Sequence, residues 1–544
     1  MINNNNNIKL HFITNTDSIY LWQYEMISSI LAQQPSLDVK FSVLENTFVG
    51  SKQTSLPFLL KLAYKLDKRL AGCQTKSLEK KPLESLSNNT IYKLSKASLC
   101  DESFITRNFV SDKQVQCLII NLTEQTLPSC LYEVEDTQVL SLFFSKLRKL
   151  DSLLIGLLEF TNNQKVVHTG IQLETATNQD NLVLYEAEHS LESASLCRTF
   201  ETILHKTALF LPHVLHKYPH YLNKSVNNPA VLSIENTRDT DLSVGEQLKL
   251  FSKFTARVAY RLWYRFTEGE QWIMMLASNE TVNTPNMAFE TFERIMPPKS
   301  EFWADPFLIE HQEKHYLFFE VFPFERDLGH LSCMEVHDDG TFGEVVKILE
   351  RPYHFSYPNV FEYENQMYMV PETGGYQCIQ LYKASSFPYK WEFQYNLMDG
   401  IRAFDSTFIE HDGVWWLFAT VSETEKCATT EELHVFYADS PLSQDWTPHP
   451  ANPINTFASS ARPAGKIFKE EGRLYRPSQD CAGSYGAGIN VCEIITLNKE
   501  HYEEVILSKR KPDWDKSLIG LHTLNFDSKY TVIDVILDTG GLLK

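Results

Sequence analysis

The chain has 544 residues, 43% hydrophobic and 12% aromatic, enough to build sizeable cores in more than one domain and too apolar for global disorder. Fifty Lys and Arg stand against 69 Asp and Glu, a formal net charge of −19, which is the wrong sign for a general nucleic-acid binder that must neutralise phosphate. No run approaches about 20 apolar residues, so no membrane span is expected, and the ten cysteines form no C-x-x-C pair, which argues against a zinc ribbon or a disulfide framework.

Residues 1–7 lack the basic and apolar regions of a secretory signal, and residues 3–7, all Asn, read as a disordered tail. With thiols read as reduced, a cytoplasmic protein is expected. Residues 8–14 read as a strand. Trp22, Met26, Ile27, Ile30 and Leu31 then recur at helical spacing, and Val39, Phe41 and Val43 alternate as in a strand. Residues 117–122 form a short apolar run suited to a buried parallel strand, and residues 192–211 have helical character. This strand–helix–strand order predicts an α/β domain over 1–220. His213, His216 and His220 share a helical spacing, but Pro212 and Pro219 interrupt it and no acid lies close, so they read as surface residues. A polar stretch at 223–241 and a helical one at 244–266 make 221–297 a linker and helical connector.

The second half carries a repeat. Apolar strand, polar turn and aromatic strand recur at 303–320, 356–372, 404–418 and 461–477, with a weaker copy at 522–534. The spacing is about 50 residues, the length of a four-stranded blade. A five-bladed β-propeller over 298–544 is therefore predicted.

The innermost strands of a propeller line its channel, so matching positions of successive blades converge. Asp305 and Asp405 are then expected to face one another across a cavity. Paired carboxylates beside aromatics are the equipment of sugar chemistry. Asp305 is the candidate base and Asp405 its orienting partner. Glu320 and Glu372, at the ends of the second strands, are further catalytic candidates. Trp303, Tyr357 and Asn359 are candidate substrate contacts. Arg462, Arg476, Gln479 and Asp480 suggest a grip on an anion such as a phosphate or an acidic sugar. Blander roles compete: Asp305 can cap a turn before Pro306, Glu320 and Glu372 can be solvated hairpin ends, and both arginines can pair with Asp480. Trp415 and Trp416 read as rim and core. His330, His337, His354 and His411 show no H-x-x-x-H or H-E-x-x-H spacing, and there is no G-x-G-x-x-G or P-loop motif, so no metal and no cofactor is expected.

Trp303-Ala304-Asp305-Pro306-Phe307, and Phe404-Asp405-Ser406-Thr407-Phe408 followed by His411-Asp412-Gly413, resemble blade motifs of the five-bladed arabinanase/β-xylosidase-type glycoside hydrolases. That resemblance implies a general base at Asp305 and a pKa-modulating acid at Asp405. Residues 302–320, 356–373, 403–420 and 460–480 more closely resemble the propeller at the N-terminus of plant glucosamine inositolphosphorylceramide transferases and of bacterial two-domain relatives. In the hydrolases a Glu-Gly-Pro in the fourth repeat supplies the general acid. Here Ser460-Ala461-Arg462-Pro463 stands in its place, so Glu320 or Glu372 would have to substitute.

The N-terminal half resembles a degenerate formyltransferase-like domain, carried by residues 8–14, Trp22-Gln23-Tyr24-Glu25, Lys68-Arg69-Leu70 and residues 118–122. It lacks the His-Pro-Ser motif, so formyl transfer is not expected. The resemblances imply a carbohydrate-active protein of surface-glycan assembly, engaged in sugar transfer or associated with a glycosyltransferase. Its expected partners are a carbohydrate or sugar-phosphate ligand and other glycan-assembly enzymes. A non-catalytic glycan-binding protein and a glycoside hydrolase with a displaced general acid are the alternatives.

Overall fold

The computed structural model describes residues 8–44, 58–72, 76–86, 91–94, 116–123, 127–134, 136–147, 155–175, 181–191, 195–224, 231–232, 243–267, 269–279 and 289–540. The Asn tail and most of the predicted linker lie outside them. Two compact units divide at residues 259 and 260.

The N-terminal unit is built on an eight-stranded sheet. Its strands are β1 (Ile8–Thr14), β2 (Asp38–Leu44), β3 (Ile91–Leu94), β4 (Gln116–Asn121), β5 (Thr137–Phe143), β6 (Val166–Leu173), β7 (Asn181–Ser190) and β8 (Val231–Leu232), in the order β8-β7-β6-β5-β4-β1-β2-β3. Strands β3, β2, β1, β4 and β5 run parallel, and the remaining three are antiparallel additions. Alternation sorts the side chains: Leu10, Phe12, Phe41, Leu118 and Ile120 share one core with helices α1 (Leu21–Gln33) and α3 (Leu196–Lys224), while Ile13, Cys117, Ile119 and Val139 enter another with Leu127 and Leu131. Helix α2 (Phe58–Ala71) packs on α3. The α/β reading of this half is met in strand order; its likeness to a formyltransferase rests on the sequence alone.

The helix predicted to break at Pro212 and Pro219 runs through both. Phe210, Leu211, Val214 and Leu215 are buried against the sheet, and His213 lies on the Tyr185 ring at 5.8 Å. Tertiary burial of this face outweighs the lost backbone hydrogen bonds.

The second unit consists of five four-stranded antiparallel sheets. Blade 1 opens with Glu301–His311 and Lys314–Pro323, blade 2 with Ser356–Tyr363 and Gln366–Glu372, and blade 3 with Ala403–His411 and Val414–Val421. Blade 4 uses Phe468–Glu470 and Arg473–Asp480, and blade 5 uses Leu518–Phe526 and Tyr530–Asp538. An apolar layer lies between every neighbouring pair, including blades 5 and 1, where Met274, Leu276 and Val532 meet Trp303, Leu317 and Phe319. The ring is closed.

The closure corrects one predicted boundary. Blade 5 takes its two outer strands, Glu270–Ser278 and Glu293–Ile295, from the chain ahead of the first repeat, and the former pairs with Tyr530–Asp538 from Glu270↔Asp538 to Ser278↔Tyr530. The propeller therefore begins at Glu270, inside the region read as connector. These outer strands lack the pattern of apolar strand, polar turn and aromatic strand that marked the other blades.

The fourth repeat also departs from the prediction. Residues 461–467 form no strand and touch their neighbour through the single bridge Pro463↔Ser478. Pro463 has no N–H to give a ladder. Gly465 sits at φ 132°, where an added Cβ would lie 2.0 Å from the Leu524 carbonyl oxygen, so this segment approaches blade 5 more closely than a side chain permits.

Candidate functional site: an acidic cluster at the propeller axis

Three blades place a distorted residue at the same point of their innermost strand. The ladder slips between Ala304 and Phe307, between Ser356 and Asn359, and between Phe404 and Thr407. At each slip a non-glycine residue takes positive φ: Asp305 at 52°, Tyr357 at 44° and Asp405 at 54°. Such backbone costs about 1–2 kcal/mol per residue for an L-amino acid. Three repeats of it in register are a built feature, because bulges re-aim side chains.

The re-aimed groups meet. Asp305 accepts hydrogen bonds from the Tyr357 N–H at 3.1 Å and the Thr523 hydroxyl at 3.1 Å. Its own N–H donates to Asp534 Oδ2 at 2.8 Å. His522 lies between these acids, with Nε2 3.4 Å from Asp305 Oδ1 and Nδ1 2.7 Å from Asp534 Oδ1. Asp405 accepts from Arg462 Nε at 2.5 Å, Arg462 Nη2 at 3.2 Å and Gln479 Nε2 at 2.9 Å. Arg462 Nη2 also donates to Glu372 Oε2 at 3.1 Å, so one guanidinium joins acids from blades 2 and 3. Glu320 Oε1 lies 3.4 Å from His354 Nε2. Because His354 Nδ1 accepts from the Gly329 N–H, Nε2 carries the imidazole proton when the ring is neutral.

Aromatic rings border the cluster. Trp272 stacks on His522 at 4.0 Å and 30°, and Tyr485 meets His522 edge-on at 5.4 Å. The Arg462 guanidinium lies 5.1 Å from the Tyr485 centroid and 5.6 Å from that of Phe404. Tyr485 is 44% exposed and reaches the surface, whereas Asp305 is 5% and Asp405 1% exposed.

Burial and crowding set the proton balance. Burial pushes the Asp305 carboxyl up to about 6, with His522 opposing the rise and Asp405 adding to it. Burial, then the neighbouring acids, holds Glu320 well above the usual carboxylate range. Glu372 is raised well above it too, by burial and then by Asp405, with Arg462 opposing. Burial disfavours the His522 imidazolium, but the Asp534 and Asp305 carboxylates outweigh it, and its pKa is raised. One cluster thus contains carboxyls that keep a proton beside a carboxyl that loses it near neutrality, the division acid–base chemistry requires.

Of the residues expected at the site, Asp305, Asp405, Glu320, Glu372, Arg462 and Gln479 come together. Asp305 does more than cap a turn, and the two glutamates are buried rather than solvated. Tyr357 crosses the axis, its hydroxyl 3.0 Å from Thr407 Oγ1 and accepting from the Gly465 N–H at 2.7 Å. It is fully buried and serves as a strut rather than a substrate contact. Asn359 latches blade 2 to blade 3 through the Ser406 carbonyl.

Trp303 packs between blades 5 and 1, with its indole N–H on Glu301, so its expected substrate contact is replaced by core packing. Arg476 grips Glu504 in a two-pronged pair at 2.8 and 2.7 Å and the Ser460 carbonyl, so its expected anion site is already filled. Asp480 lies 4.0 Å from Lys511 and pairs with neither arginine. The predicted anion grip is absent at Arg462 as well, because its donors are committed to Asp405, Glu372 and the Thr429 carbonyl. Trp415 and Trp416 take their expected rim and core places.

Sequence reasoning missed Trp272, Tyr485, His522 and Asp534 as site residues. The fifth repeat bounded by His522 and Asp534 was the available signal for the last two. Among the described residues, Asp305, His522 and Asp534 form one group whose ligand atoms lie within 4.8 Å, as do Glu423, Glu432 and His434. In the first group the carboxylate oxygens already accept N–H and hydroxyl donors, with which a cation would compete.

Residues 274–524 match the family described as "Glucosamine inositolphosphorylceramide transferase 1, N-terminal". The protein named glucosamine inositolphosphorylceramide transferase 1 in Oryza sativa subsp. japonica is 39% identical over 209 residues, covering 38% of this chain and 28% of the relative. Its namesake in Arabidopsis thaliana is 34% identical over 240 residues, covering 42% and 31%. This chain therefore spans less than a third of the length of these curated relatives. Among solved structures, the family 117 glycoside hydrolase Zg3597 of Zobellia galactanivorans aligns over 44% of this chain and 85% of its own, with 13% identity and a TM-score of 0.32. A β-xylosidase, RS223, aligns over 39% and 78%, with 13% identity and a TM-score of 0.31.

Proposed function

We propose that the propeller binds a sugar at the axial acidic cluster and takes part in glycosyl transfer during glycan assembly. The observation that carries this reading is the convergence of Asp305, Glu372, Asp405 and Arg462 from four blades into one buried polar cluster bordered by Trp272, Phe404 and Tyr485. In this reading Asp305 removes the proton from an attacking hydroxyl. Asp405, held by Arg462 and Gln479, fixes the geometry. Glu372 or Glu320, still protonated, donates to the departing oxygen. The exposed Tyr485 ring offers a face on which the C–H side of a sugar can stack.

The charge balance favours an amino sugar over a phosphate. Even with Glu320 and Glu372 protonated, the carboxyls of Asp305, Asp405 and Asp534 outnumber the guanidinium of Arg462 and the imidazole of His522. A phosphate entering this field is repelled, whereas an ammonium is attracted. The glucosamine in the relatives' name agrees with this preference. Because so little of those relatives is covered, their named transfer is a proposal for this chain, as are a cytoplasmic location and the formyltransferase-like ancestry of the first unit.

Titration calorimetry with glucosamine, N-acetylglucosamine and glucose 1-phosphate tests the ligand class. The reading requires glucosamine to bind most tightly, and preference for the phosphate overturns it. Turnover with nucleotide-sugar donors, lost in Asp305→Asn, supports transfer. Release of free sugar from aryl glycosides instead supports hydrolysis, and binding unchanged by Asp305→Asn without turnover leaves a glycan-binding module.

A further inference from the structure

Helix α2 of the N-terminal unit turns Leu62, Leu66 and Leu70 away from the core. Its buried edge is formed by Ala63 and Asp67. Ala63 packs with Trp22, Phe200, Ile203 and Leu204. Asp67 accepts from the Ser195 hydroxyl at 2.8 Å and the Cys197 N–H at 2.7 Å, holding α2 against the start of α3. Leu62, Leu66 and Leu70, one helical repeat apart, are 41%, 43% and 55% exposed. Lys61, Lys65 and Arg69 form an exposed stripe immediately beside them.

The basic character continues past the helix. Residues 61–81 contain Lys61, Lys65, Lys68, Arg69, Lys76, Lys80 and Lys81 against Asp67 and Glu79, so 7 − 2 = +5 in a chain of net −19. The helix dipole rewards Lys68 and Arg69 in the last turn but disfavours a cation at the helix start, where Lys61 stands. A leucine stripe flanked by cations on an otherwise acidic protein has one complementary surface. We propose that this face of α2 docks the protein on an anionic lipid surface. The leucines enter the boundary between headgroups and acyl chains, and the lysines and arginine meet lipid phosphates. A symmetric contact with a second copy would instead bring the basic stripes together. The inference is independent of the axial site.

The test is sedimentation of the full chain with vesicles of phosphatidylcholine, alone or mixed with phosphatidylserine. Binding is expected only to the mixed vesicles and should weaken with salt. Leu66→Glu, and separately Lys65→Glu with Arg69→Glu, should each lower the partition coefficient about tenfold or more. These positions are exposed, so circular dichroism and melting temperature should stay as in the parent. Absence of binding to mixed vesicles, equal binding to neutral ones, or indifference to both variants overturns the proposal. So does self-association that Leu66→Glu abolishes without any vesicle binding, which would assign the stripe to a second copy.

Discussion

Arg462 and Asp405 form a buried two-pronged ion pair, with Nε and Nη2 of the guanidinium on the two carboxylate oxygens and 6% and 1% of each residue exposed. Neither residue is near the other in sequence, and blade 3 and the segment entering blade 4 bring them together. Removing one partner strands the other in a water-poor site. Arg462→Met should therefore destabilise the propeller by about 3–5 kcal/mol, while Arg462→Met with Asp405→Asn should recover part of that loss. Urea unfolding of the two variants checks this; a single variant as stable as the parent would sink it.

The raised Asp305 pKa has a definite sign in stability. An acid whose folded pKa, about 6, exceeds its ordinary value of 3.8 binds more protons when folded. Its contribution is fully present below pH 3.8 and is lost as pH rises through 6. The full change is about 3 kcal/mol, at 1.4 kcal/mol per pKa unit. Asp305→Asn should flatten the fall in stability across that window. Denaturant midpoints at pH 4.5, 5.5 and 6.5 compare the slopes, and parallel curves for parent and variant would refute the assignment.

The Tyr357 strut predicts a local effect. Tyr357→Phe deprives the buried Gly465 N–H of its acceptor, at a cost of about 1–3 kcal/mol. Amide exchange at Gly465 should accelerate more than exchange in blade 2, which retains its strand pairing.

Arg476 separates architecture from chemistry. Its partner is Glu504, which also accepts from the Tyr502 hydroxyl and Asn455. Arg476→Met should lower stability by about 3–5 kcal/mol and leave glucosamine affinity of the folded fraction unchanged. A specific loss of sugar affinity in fully folded protein would return Arg476 to the site.

The repeat was legible because apolar strand, polar turn and aromatic strand recur, and in blades 1 to 3 the bulges at Asp305-Pro306, Tyr357-Pro358 and Asp405-Ser406 fall at matching points of that pattern. Burial of Asp305 and Asp405 followed from the same register. Trp303 misled because residues two apart in a regular strand share a face, whereas the bulge turns Asp305 to the axis and leaves Trp303 in the layer between blades. Arg476 misled because a charged residue in an aromatic strand suggests a ligand until its partner, 28 positions away on the outer strand, is seen. Trp272 was hidden for a different reason: it belongs to a strand that joins the ring through its pairing with the other end of the unit, and no local pattern encodes such a partner. The fold of the first half was readable from alternation and helical spacing, but masking by Pro212 and Pro219 concealed the full length of α3.

The shared fifth blade sets a timetable for biosynthesis. Residues 270–278 leave the ribosome early, yet their hydrogen-bonding partner, Tyr530–Asp538, is made some 250 residues later. Until residues 530–538 are made, that earlier strand has one open edge, and the four complete sheets form an arc with two exposed apolar flanks. Nascent chains halted between the completion of blade 4 at Arg510 and the emergence of Tyr530–Asp538 should therefore be the species that chaperones hold and proteases cut.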